Sequence, residues 1–299
     1  MSYKHLSRER LPQLWVLLVL MAFGLIGCST PQQVPVKSAA PVKLALVLSG
    51  GGGRGFAHIG VIKVLESHGI TPDIVVGSSA GAFVGSLYAS GMSGLQLQEA
   101  AMRLEEAPFF DWRLNERGPL TGKALQDYVN LQIGKRTTEN LKRTLGVVAT
   151  DLGSGESVVF RRGDTGLAVR ASCAIPGVFA PVRIGNKDFV DGGVSAPVPV
   201  KAAKDMGADY IIAVDIGQKP KWTGKVESLI GVLMQSANIM GHVLSREELR
   251  AANFVIAPDL SDVDPASFSD RYKAILRGEA AAIKALDALK ADLERVRKG

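Results

Sequence analysis

Two strand-to-helix turns between Leu44 and Gly81 constrain this chain more than any other feature. The apolar run 44–48 (LALVL) breaks into Gly50-Gly51-Gly52-Gly53-Arg54-Gly55 and then a helical pattern. Ile74-Val75-Val76 breaks into Gly77-Ser78-Ser79-Ala80-Gly81 before another. A strand that hands over to a helix through glycine, twice in succession, is the pattern of an α/β chain. The turns also carry chemistry. A glycine-rich turn opening a helix points backbone N–H groups outward, where they suit a developing negative charge. A G-x-S-x-G turn raises a serine hydroxyl above the sheet, with Gly77 and Gly81 relieving the strain of the elbow. Donor loop first and Ser79 second make the parts list of a serine acyl hydrolase, and the open question is which residue activates the serine.

Other readings of the two turns fare worse. Gly50–Gly55 also satisfies G-x-G-x-x-G, but a dinucleotide site needs an acid near the end of the second strand to hold a ribose. Asp73 precedes that strand and Gly77-Ser78-Ser79 closes it. A phosphate-binding P-loop fails as well, because no Gly-Lys-Ser/Thr follows the glycines. The plain alternative for the elbow is a helix N-cap, a job open to Ser78 or Ser79.

Strands continue to alternate with helical patterns along the rest of the chain. Helices are expected at 56–68, 80–89, 165–172, 200–206, 228–250 and 272–297, and strands at 145–149, 157–160, 210–214 and 254–257. Residues 93–145 read as mostly helical and amphipathic, with an aromatic knot at Phe109-Phe110-Asp111-Trp112. A hairpin over 182–190, turning at Gly185-Asn186-Lys187, delivers the chain to Asp191-Gly192-Gly193.

A serine nucleophile needs a base. Of the four histidines, His5 lies in the leader, His58 and His68 sit on the first helix as surface or packing residues, and His242 falls on a long late helix. Asp191 is the better choice: it follows a short strand, and Gly192-Gly193 let another group approach closely. A free Asp titrates at ~3.9, so it serves as base only in a water-poor pocket that raises its basicity. No His/Cys/Asp cluster has metal-ligand spacing, Asp151, Asp215 and Asp259 being scattered at strand ends, and no cofactor is implied. Cys173 reads as a small packing residue.

Together, Gly50–Gly55, Gly77–Gly81, Ala171-Ser172-Cys173-Ala174-Ile175-Pro176 and Asp191-Gly192-Gly193 resemble the four motifs of the patatin-like phospholipases. They cover most of residues 43–215. The resemblance implies a three-layer α/β/α fold with a mostly parallel central sheet. It also implies a Ser-Asp dyad of Ser79 as nucleophile and Asp191 as base, and an oxyanion hole from the N–H groups of Gly51, Gly52 and Gly53. Arg54 matches the basic position of that loop, where it anchors the loop by charge.

The N-terminus reads as an address. Lys4, Arg8 and Arg10 precede an apolar core at 14–26 that ends in Leu25-Ile26-Gly27-Cys28. This is the pattern of a secretory signal peptide, shorter than a spanning helix needs. Leu-Ile-Gly-Cys resembles the bacterial lipobox, with Cys28 acylated and membrane-attached, and Ser29 in second place favours the outer membrane facing the periplasm. Residues 1–27 are thus expected to be a leader, 28–42 a Pro/Gln/Ser/Ala tether, and 43–299 one hydrolase domain with a helical cap over about 225–299. Without residues 1–27 the chain holds 32 basic and 28 acidic residues. That mild excess suits an anionic membrane surface and lacks the dense basic stripe of a nucleic-acid binder. The expected activity is hydrolysis of fatty-acyl esters of membrane lipids; the rival is a non-catalytic envelope lipoprotein that binds lipid or an assembly partner.

Overall fold

The computed structural model describes residues 42–105, 111, 117–217 and 229–298. The expected leader, Cys28 and its tether, together with Phe109, Phe110 and Trp112, lie outside these. In chain order the strands are β1 (Leu44–Leu48), β2 (Ile74–Ser78), β3 (Thr144–Asp151), β4 (Ser157–Phe160), β5 (Val182–Ile184), β6 (Lys187–Val190), β7 (Tyr210–Val214) and β8 (Phe254–Ile256). The helices of four residues or more past the first glycine turn are α1 (Phe56–Ser67), α2 (Ala80–Ala89), α3 (Gly94–Arg103), α4 (Lys123–Gln132), α5 (Thr165–Ser172), α6 (Val200–Asp205), α7 (Leu229–Leu249) and α8 (Arg271–Lys298).

All eight strands join one sheet, ordered β5-β6-β3-β2-β1-β7-β8 with β4 also on β3. Its centre is parallel, from β3 through β2, β1 and β7 to β8. β4 and β6 run antiparallel to β3, and β5 antiparallel to β6. The expected hairpin is thus β5–β6. Two strands run past their expected ends. β2 continues through Gly77 and Ser78, which makes Ser79 the first residue beyond it, and β3 continues to Asp151.

The central strands are buried on both faces, which explains their nearly unbroken apolar runs. Leu44, Leu46 and Leu48 pack with α1, α2 and α8 on one face, while Ala45 and Val47 pack with α6 on the other. The largest helix contact is between α1 and α8. A methyl on Gly278 would stand 2.0 Å from the Ala57 carbonyl oxygen, so here the two helix backbones touch. The segment expected as a helical cap is therefore part of the main body: β8 extends the sheet and α8 packs on α1. The stretch expected to be mostly helical contains α3, opened by a Ser93/Gln96 capping box, and α4.

Candidate active site

Parallel β1, β2 and β7 end at one edge of the sheet, and the site is built there. Ser79 follows β2 with φ 52° and ψ −122°, a conformation that non-glycine residues rarely adopt. What holds it is the packing beneath. A side chain on Gly81 would stand 2.0 Å from the Leu48 carbonyl oxygen, so α2 starts hard against the end of β1. Above, the N–H of Ser79 donates to Ser172 Oγ at 2.9 Å, and that hydroxyl donates to the Val148 carbonyl. Ser79 stands at the N-cap position of α2, but its side chain caps nothing and Ser78 Oγ has no hydrogen-bond partner. The N-cap reading is therefore wrong for both serines.

The serine hydroxyl turns away from its own helix and donates to Asp191 Oδ2 at 2.6 Å. Strand pairing brings the two together. Val148 pairs with Ser78 of β2 and Val159 of β4, and Thr150 pairs with Ser157 of β4 and Val190 of β6. A strand has two edges, so β2 and β6 share the edge of β3 opposite β4, and their tips face each other. The residues just beyond those tips are Ser79 and Asp191. The second carboxylate oxygen accepts the Gly193 N–H at 2.7 Å, the Asp191 N–H donates to Ala174 O at 2.9 Å, and Thr150 Oγ1 donates to Asp191 O at 2.8 Å. Ser79 is 7% and Asp191 6% exposed. Burial pushes the Asp191 carboxyl from 3.8 up to about 6, against the opposing pull of the Ser79 hydroxyl and Gly193 N–H.

The glycine loop lies against the serine, with Gly50 facing Ser79 Cβ. Gly52 has φ +59°, and the loop is clamped by the segment between β8 and α8: Gly53 N–H donates to Pro265 O at 2.8 Å and Arg54 Nε to Val263 O at 3.2 Å. The expected donor set is corrected accordingly. Gly53 is already engaged, whereas the N–H groups of Gly51 and Gly52 have no acceptor among the described residues. Arg54 is buried, its guanidinium pulled down by desolvation and back up by Asp264, in keeping with a loop anchor.

The family model of the patatin-like phospholipases matches residues 46–204. This chain belongs to the patatin-like phospholipase family. An uncharacterized NTE family protein of Mycobacterium tuberculosis is 36% identical over 193 residues, 62% of this chain and 52% of that protein. Patatin-like phospholipase domain-containing protein 6 of Mus musculus is 33% identical over 185 residues, 59% of this chain and 14% of that protein. The chain thus spans about half the length of the mycobacterial relative and a far smaller part of the mouse one. The solved structure of VipD from Legionella pneumophila has the same fold, with TM-score 0.60 at 16% identity over 84% of this chain and 68% of that one.

The patatin-like span holds the glycine loop, Ser79, Ser172 and Asp191, but not the clamp residues Val263 and Pro265. Among the described residues no histidine shares a hydrogen bond with Ser79. His58 is fully buried rather than on the helix surface; its Nε2 meets Ser49 O at 2.9 Å, Nδ1 has no partner, and burial holds its titration down at about 4. It supports the root of the glycine loop. Among the described residues no His/Cys/Asp/Glu group could hold a metal. Cys173 is half-buried beside the pair, its thiol pushed well up by burial and then by Asp191. Two contributors escaped sequence reasoning. Ser172 stood inside a recognised motif without a role, and Thr150, at the end of an ordinary strand, carried no signal at all.

Proposed function

We propose that this patatin-like protein is a serine acyl-ester hydrolase that cleaves fatty-acyl esters of phospholipids or related lipids. Ser79 is the nucleophile and Asp191 the base. The observation that carries the reading is the 2.6 Å hydrogen bond from Ser79 Oγ to a buried carboxylate, made at a strained elbow under two free backbone donors. The names of two relatives agree with it, one being a phospholipase domain protein and another, from Debaryomyces hansenii, a lysophospholipase.

In the first half-reaction Ser79 Oγ attacks the ester carbonyl carbon as its proton passes to Asp191 Oδ2. The carbonyl oxygen becomes an oxyanion held by the N–H groups of Gly51 and Gly52, each such donor contributing ~3 kcal/mol in comparable sites. Collapse breaks the ester bond, and the leaving alkoxide takes the proton from Asp191. Water then attacks the acyl-serine by the same route in reverse, giving its proton to Asp191; collapse releases the fatty acid and returns that proton from Asp191 to Ser79 Oγ. Desolvation suits both steps, because it raises the basicity of the aspartate and strengthens the oxyanion donors.

The reading extends to location. The Cys28 thiol is diacylated and Cys28 becomes the mature N-terminus on removal of residues 1–27, which anchors the enzyme at the outer membrane facing the periplasm, beside its substrate. Ser79→Ala abolishes turnover of a short-chain nitrophenyl ester and labelling by a fluorophosphonate in a chain that remains folded. Turnover by that variant overturns the assignment, and a wild-type protein inert to both reagents is a binding lipoprotein instead. Loss of palmitate incorporation in Cys28→Ser tests the anchor.

A further inference from the structure

We propose that one face of α7 is a membrane-docking surface that seats the catalytic edge of the domain on an anionic phospholipid bilayer. The proposal rests on the acyl-hydrolase reading for its purpose, though its physical basis is separate. Residues 229–245 (LIGVLMQSANIMGHVLS) contain no Asp, Glu, Lys or Arg. The charges of the helix begin at Arg246, where Glu248 takes the N–H of Lys201 on α6. Upstream of that tie, Val232, Leu233, Ile239, Met240 and Val243 are 46% to 63% exposed. At 3.6 residues per turn these five fall within an arc of about 120°. A contiguous apolar face of this kind marks a surface that something covers.

Its place in the fold names the occupant. α7 packs against the Gly192–Val194 turn that follows Asp191, and Val194 itself is 46% exposed, so the helix stands beside the site and the turn adds an exposed apolar side chain of its own. In sequence, residues 218–228 leading into the helix carry Lys219, Lys221, Lys225 and Trp222 against one acid, Glu227. That is the composition of an interfacial segment facing anionic lipid. Among the described residues no helix is long and apolar enough to cross a membrane, and Gln235, Asn238 and His242 interrupt this one, so it lies in the interface plane. The thirteen residues 29–41 between Cys28 and the domain reach at most about 45 Å, which makes docking of an anchored chain an intramolecular step.

The test uses the full lipid-anchored protein in phosphatidylcholine/phosphatidylglycerol vesicles. A polarity-sensitive fluorophore is placed on Met240→Cys, or on Thr71→Cys at the opposite sheet edge, each in a Cys173→Ala chain. The label at 240 is expected to shift to the blue and to be quenched by bromine-labelled lipid, while the label at 71 stays in water. A label at 240 that stays in water, labels that respond alike at both positions, or a concentration-dependent shift without vesicles each overturn the proposal, the last in favour of self-association. In the activity arm, Met240→Asp with Val243→Asp lowers vesicle phospholipid turnover by about tenfold or more, as two buried apolar side chains would demand, and leaves nitrophenyl ester turnover unchanged. Equal vesicle turnover by wild type and variant overturns docking. A wild type that hydrolyses neither substrate overturns the hydrolase reading, and the fluorescence arm then still decides the docking.

Discussion

The hydroxyl of Ser172 accepts the backbone N–H of Ser79 at 2.9 Å and thereby holds the nucleophile in its strained conformation. Ser172→Ala leaves that N–H and the Val148 carbonyl without partners in a buried site, at about 1–3 kcal/mol. The expected result is a loss of kcat of about tenfold or more with little change in KM, and a matching fall in the rate of fluorophosphonate labelling. Unchanged labelling would mean that the elbow holds itself.

Asp191→Asn should remove activity and raise stability together. The buried carboxylate titrates at about 6 in the folded chain against 3.8 ordinarily, so its charge opposes folding at neutral pH by about 3 kcal/mol. Asn keeps an oxygen for the Gly193 N–H and sheds the charge. A higher Tm than wild type at neutral pH, in a variant that no longer turns over esters, is the expected outcome in scanning calorimetry. In the wild type, kcat/KM should rise with pH through about 6, as the carboxyl loses its proton.

Two buried groups pull the pH dependence of stability in opposite directions. Asp191 has a raised folded value, so the stability it contributes is full below 3.8 and is lost as pH rises through about 6. His58 has a depressed one, so its contribution is full above 6.5 and is lost as pH falls towards about 4. Their slopes oppose between about 4 and 6. Denaturant midpoints over that range should therefore fall with acidity in Asp191→Asn and rise with acidity in His58→Gln, with wild type between them.

Glycines in two helices should behave oppositely. Gly278→Ala drives a methyl into the Ala57 carbonyl, forcing α8 off α1, and costs about 1–3 kcal/mol or more. Because α8 follows the segment that clamps Gly53 and Arg54, ester turnover should fall with it. Gly241→Ala in α7 meets open space and should stabilise by about 0.5–1 kcal/mol. Equilibrium urea unfolding of both variants measures the difference.

Local patterns made much of the molecule legible in advance. The alternation of strand and helix, the position of β1 and α2, and the β5–β6 hairpin follow from residue periodicity and glycine placement, each acting within a few turns of chain. Apolar runs end before the strands do at β2 and β3, where Gly77, Ser78 and Thr150 lack apolar side chains but stay paired in the sheet. The sequence leaves His58 open between surface and packing for a related reason: a polar residue on a helix has no settled place until the neighbour that meets its ring nitrogen is known, and the fold decides for packing.

From sequence alone came the elbow serine, the donor loop, an aspartate beside two glycines and the family they resemble, because each is a short run whose residue types carry its chemistry. Tertiary structure alone decided which of these touch. Ser79 and Asp191 are 112 positions apart and meet because β2 and β6 share one edge of β3, a choice of sheet order that no local run encodes. The same holds for the donors. Gly53 looks like its neighbours in the sequence, yet its N–H is taken by Pro265 from the far end of the chain. A backbone hydrogen bond carries no residue signature, so only the assembled fold determines which donors remain free.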